Sequence, residues 1–283
     1  MKKIISKLIL MCIFVMPLSC VEKRKPQSPP PLNYALPELI SRIEQNTNNL
    51  QRFRSKGGRL MSKIPTDKGI KRFDLDGVVI LFEKPKRLYL SGSYLGSPAL
   101  QIGSNDQTYW LGVLKDPQQL HWGYWKNADL ECNTWRMGIP LKLMEALGQI
   151  DIRDVQKKFS GPVVMQRREN ANVLMYNSVD SAGSGYIAKE IYITQYEPIL
   201  ITKIIYYKPD GSHEMTIDYS NYKPVINGCM MATKVILNCP SEECIMSITL
   251  GKITPVDTLP EGAFATPNTS DFETVEQVDI DCK

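Results

Sequence analysis

The chain has 283 residues, with 34 Lys and Arg against 30 Asp and Glu, two His, seven Cys and a formal net charge of +4 at pH 7. The first 19 residues carry three lysines and no acid, so +4 becomes +1 without them, a near-neutral body that argues against a nucleic-acid partner. A body of about 250 residues suffices for one all-β domain or two small ones, and with no second linker, repeat or low-complexity break in the sequence one domain is expected.

Residues 1–19 read as an export signal. Lys2, Lys3 and Lys7 precede the apolar run 8–18, which is well short of the ~20 residues a membrane-spanning helix needs. The run ends at Ser19-Cys20. A small residue directly before Cys resembles a lipobox, which implies acylation of Cys20, and Cys20 as the mature N-terminus. Residues 20–34 then form a tether from acylated Cys20. Lys23, Arg24 and Lys25 suit anionic headgroups, and Pro26, Pro29, Pro30 and Pro31 favour an extended chain. Val21 after the Cys resembles the enterobacterial signal for the outer membrane.

Residues 35–283 are expected to form the folded domain. Leu36, Ile40, Ile43, Leu50 and Phe53 follow a helical stripe over 35–55, with Pro37 suited to a first turn and Asn46-Thr47-Asn48-Asn49 a weak interior. Gly57-Gly58 ends that helix in this reading, and strands follow at 59–64 and 70–75. Residues 78–114 hold four short strands: 78–82, 87–91, 99–103 and 108–114. Strands this closely spaced must pair antiparallel, because a parallel crossover needs about a dozen residues or more.

In order, this stretch shows a strand ending in Lys84-Pro85, a strand with Leu88 and Leu90, an apolar strand from Ile102 to Asn105-Asp106, then Thr108-Tyr109-Trp110. It resembles the LolA/LolB group, the periplasmic carrier and the outer-membrane receptor for bacterial lipoproteins. The resemblance implies a mainly β fold with some α: an incomplete antiparallel barrel with an N-terminal helix and a helical lid, whose concave face holds acyl chains. It places Leu81, Leu90, Trp110 and Trp122 in the acyl-binding cavity. It also puts Lys84 where the carrier has an Arg that holds the lid. Lys, with one compact ammonium, would hold lid carbonyls less firmly than a planar guanidinium.

Beyond this stretch, 119–124 is an aromatic strand with Trp122 and Tyr124 on one face and His121 on the other. The segment 139–150 is helical, with Ile139, Leu143, Leu147 and Ile150 in one stripe widened by Met144. By resemblance Ile139, Leu143, Met144 and Leu147 face inward from the lid; a helix that simply closes the core fits the same pattern. Strands return at 163–167, 173–179, 188–194, 199–207, 214–219, 230–237 and 245–250, and Phe264 and Pro267 resemble the carrier's closing segment.

Five cysteines lie in the body. Cys239 and Cys244 flank a short turn, where a disulfide is favoured over a metal clip in an oxidising compartment; Cys132, Cys229 and Cys282 are not paired by the sequence. His121 and His213 stand outside any catalytic arrangement, no phosphate-cradling Gly loop is present, and neither a metal nor a cofactor is expected. The reading is therefore a non-enzymatic, lipid-anchored protein of a diderm cell envelope, at the outer membrane facing the periplasm. It would bind acyl chains of lipoproteins or a similar amphiphile and meet other envelope transport proteins. The alternative is a structural or protein-interaction lipoprotein on the same fold with a filled cavity.

Overall fold

The computed structural model describes residues 32–66, 69–115, 117–128, 139–147, 159–226, 228–240 and 243–282. The export segment, Cys20 and most of the tether lie outside these residues, as does Cys132. Residues 32–282 belong to one unit, and its first residues are already tied in: Leu32 N donates to Gln195 O, and Tyr34 OH donates to Glu197 Oε1. The folded body thus begins before residue 35.

The elements in chain order are α1 (Leu36–Asn48), β1 (Arg52–Thr66), β2 (Gly69–Glu83), β3 (Arg87–Tyr94), β4 (Ser97–Ser104), β5 (Thr108–Val113), β6 (Gln119–Tyr124), α2 (Ile139–Ala146), β7 (Val164–Arg168), β8 (Ala171–Val179), β9 (Gly185–Ile193), β10 (Ile201–Tyr207), β11 (His213–Ile226), β12 (Cys229–Cys239), β13 (Cys244–Thr249), β14 (Lys252–Pro255) and β15 (Thr274–Gln277). All strands join one open sheet of order β15-β6-β5-β4-β3-β2-β1-β13-β12-β11-β10-β9-β8-β7, with β14 pairing β1 below β13. Among the described strands, only the β15–β6 pair is parallel. The chain meanders outward from β1 to β6, crosses to the far edge through the segment that holds α2, and meanders back from β7 to β13. A twisted sheet this wide curls. Inner-face residues from Val113 on β5 to Met165 on β7 accordingly join one core with both helices. This is the incomplete antiparallel barrel expected from the resemblance.

Helix α1 starts after an extended Ala35 with Pro37 in its first turn and ends at Asn49, several residues before the sequence pattern suggested. The chain then serves the sheet: Arg52 pairs with Glu83 and Phe53 with Phe82. Gly57-Gly58 does not separate helix from strand. It is a bulge inside the 15-residue β1, with Gly57 at a φ of 77°. A Cβ on Gly58 would lie 2.5 Å from Thr249 O, so this is where β1 passes from β13 to β14 at close backbone approach. Gly77 (φ 61°) bulges β2 in the same way and joins the two strands expected at 70–75 and 78–82.

Candidate functional site

The two faces of the sheet follow from register. Across the turn at 84–86, Phe82 pairs with Leu88, Leu81 with Tyr89 and Ile80 with Leu90. Side chains alternate along a strand, so Ile80, Phe82, Leu88 and Leu90 share one face, and all four are buried in the main core. Phe53 stacks on Phe82 with ring centroids 5.4 Å apart. This inner face continues through Leu60 and Ile248 to Val235, Ile217, Ile204, Ile191 and Leu174.

Of the four residues expected to line an acyl site, only Leu90 lies on this face. Leu81 pairs with Tyr89 on the outer face and is half-buried. Trp110 pairs with Gly103 and with Trp122, while its neighbour Leu111 faces inward beside Ile102. Trp110 is buried on the outer face in a separate cluster with Leu120 and Phe272, against which Trp122 packs. For the two tryptophans the error has one physical source. Phe272 reaches this face from the C-terminal segment and covers what would otherwise be exposed aromatics, so aromatic content did not mark the inner side. Parity along β2 and β5, anchored on Leu88 and Leu90, would have separated the faces.

Two helices cover the inner face. α1 buries Leu39 and Ile43, and α2 buries Leu143, Met144 and Ala146 with Leu147 just beyond it. Ile139 begins α2. α2 touches β4 on one half of the sheet and β12 on the other, so it spans the trough between them. α1 is held at its C-terminal end. Asn46 Nδ2 donates to Met230 O, Met230 N donates back to Asn46 Oδ1, and the Cys229 thiol donates to Asn46 O. Lys84 Nζ donates to Thr47 O at 2.8 Å and to Asn48 Oδ1 at 3.5 Å. A cation at the carbonyl end of a helix complements its dipole. Lys84 therefore secures α1, where the resemblance suggested a hold on α2.

α2 has different ties. Tyr219 OH donates to Glu145 O at 2.7 Å, and the Glu145 carboxylate lies 3.3 Å from Lys189 Nζ. Burial pushes the Tyr219 hydroxyl well above its ordinary pKa, with Tyr222 and Glu145 adding to it, so it stays protonated as a donor. Between the helices and β10–β12 remains a void of about 30 Å³, lined by Ile43, Leu50, Leu147, Tyr219 and Met231 among others. That is room for water, which needs about 10–15 Å³, and far too little for an acyl chain. Around it, the described inner-face residues pack against one another and against both helices.

Elsewhere, Arg52, Glu83, Arg87 and Asp106 line an open polar groove under residues 257–265, with their charges paired among themselves. On the outer face of β7–β10, Glu190 accepts from Arg168, Tyr192 and Tyr207. Burial pushes that carboxyl up, but these hydrogen bonds outweigh it and hold it below the usual carboxylate range. Among the described residues, no group of three His, Cys, Asp or Glu could hold a metal, and no helix is long and apolar enough to cross a membrane. Cys239 and Cys244 are direct cross-strand partners at the end of the β12–β13 ladder, both buried. Cys282 is disulfide-bonded.

No family model and no curated protein matches this sequence. Solved structures share its architecture. A DUF1329 family protein from Desulfovibrio piger is 12% identical and superposes with a TM-score of 0.51, over 83% of this chain and 97% of that one. A LolA superfamily protein from Nitrosomonas europaea is 11% identical with a TM-score of 0.49, over 83% of this chain and 99% of that one. At such identities the likeness is one of fold.

Proposed function

We propose that this protein binds acyl chains of lipoproteins or a similar amphiphile on the inner face of its half-barrel, and that α2 is the cover that lifts to admit them. The observation that carries this reading is the trough itself. It is a largely apolar face from β4 to β8, closed by a two-turn helix whose described polar ties are few. An acyl chain gains about 0.8 kcal/mol per buried methylene, enough to offset a short helix leaving its seat. The sequence supports a membrane location, with Cys20 as the acylated anchor and Lys23, Arg24 and Lys25 beside it. At the β3–β4 tip, Leu95 is 88% exposed at a φ of 50°, a backbone cost with no packing return in water, which suits contact with an apolar surface. The role is binding and hand-over at the outer membrane, not catalysis.

A second reading is favoured by one observation. The void of about 30 Å³ is far too small for an acyl chain, as expected of a structural or protein-interaction lipoprotein whose trough is permanently filled. Native mass spectrometry of the protein released from its membrane tests the two. Co-purified lipid, or uptake of a fluorescent apolar probe that protects the inner strands from hydrogen exchange, supports the carrier or receptor reading. A lipid-free protein that takes up no probe, with α2 amides exchanging as slowly as the core, supports the structural one.

A further inference from the structure

Among the described residues, the inner face carries a buried charge at one place. Tyr176 on β8, Lys189 on β9 and Tyr206 on β10 are consecutive cross-strand partners on the inner side. They stand beside the core residues Leu174, Ile191 and Ile204, two positions along the same strands. Lys189 is 1% exposed, and its Nζ lies 4.6 Å from the Tyr206 ring centroid. The ammonium is met by the Glu145 carboxylate of α2 at 3.3 Å. The hydroxyls of Tyr176 and Tyr206 are both buried and have no hydrogen-bond partner. Tyr176 is itself 1% exposed, and it feels the Glu145 charge.

Three facts need one explanation. A buried ammonium is costly unless paired and hydrogen-bonded, and an apolar residue would pack this position at no such cost. Unsatisfied buried hydroxyls are likewise costly and uncommon, yet two flank the same lysine. The partner carboxylate comes from the helix that must move for the trough to open. When α2 lifts, Glu145 leaves with it. Lys189 and the two tyrosine hydroxyls then face the opened trough.

We propose that this Tyr176–Lys189–Tyr206 row is the head-group site of the trough, that it takes an amphiphile with an anionic carboxylate or phosphate head, and that Glu145 occupies it as the ligand's stand-in when α2 is closed. The inference rests on the reading of the trough as an acyl site and narrows its ligand class. Ligand oxygens replace the Glu145 carboxylate at Lys189 and accept from the two tyrosine hydroxyls, while the chain runs along the apolar strands. Because the closed form already pairs Lys189, an uncharged amphiphile gains nothing in exchange for breaking that pair, whereas an anionic one restores it.

The test is displacement of a fluorescent apolar probe from the full chain by palmitate, hexadecyl phosphate, hexadecanol and inorganic phosphate. Palmitate and hexadecyl phosphate are expected to bind about ten-fold or more tighter than hexadecanol, the factor one charge-assisted hydrogen bond contributes. Lys189→Met should bring all three chain ligands together without weakening hexadecanol. Glu145→Gln, at a partly exposed position and so safe for folding, removes the pair that every chain ligand must break, and should tighten all three chain ligands by a similar factor. Equal binding of palmitate and hexadecanol by the parent, or chain ligands bound no tighter by Glu145→Gln than by the parent, overturns the head-group site and leaves the acyl trough standing. Inorganic phosphate competing as well as hexadecyl phosphate overturns the amphiphile assignment. Failure of every chain ligand to bind overturns the trough reading with it.

Discussion

The assignment of faces makes opposite forecasts for two leucines that the sequence treats alike. Leu90 is fully buried between Ile80 and Ile102 on the inner face, whereas Leu81 is half-buried on the outer face opposite Tyr89. Truncating Leu90 to Ala removes the transfer energy of three carbons and leaves a cavity that close-packed neighbours fill only in part, a loss of about 2–5 kcal/mol. Leu81→Ala removes the same atoms from a partly solvated site and should cost about 1 kcal/mol or less. For a body of this size each kcal/mol moves the midpoint by about 2–4 °C, so Leu90→Ala should melt roughly 5–15 °C lower and Leu81→Ala within about 4 °C of the parent. Thermal unfolding followed by far-ultraviolet circular dichroism measures both. Equal losses, or a larger loss at Leu81, would mean that the β2–β3 register is wrong and with it the position of the trough. Leu90→Glu, which places an unpaired carboxylate in the same site, should abolish folding rather than merely block binding.

Asn46→Ala leaves Met230 N without its acceptor; it should destabilise by about 1–3 kcal/mol and raise hydrogen exchange in α1 while sparing β3–β6. Gly103→Ala sets a Cβ 2.4 Å from the Trp110 ring, so it should displace that ring and shift tryptophan emission to the red, with little change at the inner face. Burial pushes the Asp279 carboxyl up, but the hydrogen bonds it accepts from Tyr124 N, Gln277 Nε2 and Asn127 Nδ2 outweigh this and hold it below its ordinary pKa. Its stabilisation is therefore complete above the unfolded value of about 3.9 and is lost as the pH falls from there through the folded value. Asp279→Asn should flatten the acid limb of a stability–pH curve; an unchanged limb would contradict the account. Cys239 and Cys244, directly opposed across an antiparallel ladder, stand about 4.5–5.5 Å apart at Cα, within disulfide reach. Unreduced peptide maps of exported protein should show them cross-linked, and two alkylatable thiols would refute the pairing.

The half-barrel was legible because its first half is local. The β1–β6 meander is a run of hairpins, and short apolar strands between turn residues leave few other pairings. Leu88 and Leu90 are inward in both readings because alternation from one secure strand fixes them. The helix end was misread because residues 52–55 are taken up by the sheet, pairing with 80–83 on β2, and Phe53, Arg54 and Ser55 also with β14 about 200 residues away in sequence. The outer-face cluster was missed because its cover, Phe272, lies some 160 residues beyond Trp110 in the chain. The Tyr176–Lys189–Tyr206 row carries no local signal at all. Each residue sits in an unremarkable strand, and only the register of β8, β9 and β10 sets the three side by side. α2 was visible as a stripe of Leu and Met, but the sequence gives no reason to match Glu145 with Lys189.

The central claim is that acyl chains occupy the inner face beneath α2. A palmitate analogue with a diazirine in its chain, photolysed on the full-length protein and mapped by mass spectrometry, tests it most directly. The account predicts labels on inner-face and cover positions such as Leu90, Val235 and Leu147, lost when excess palmitate competes. Labels confined to the outer face around Leu81, Trp110 and Trp122, or labelling that palmitate does not compete away, would contradict it.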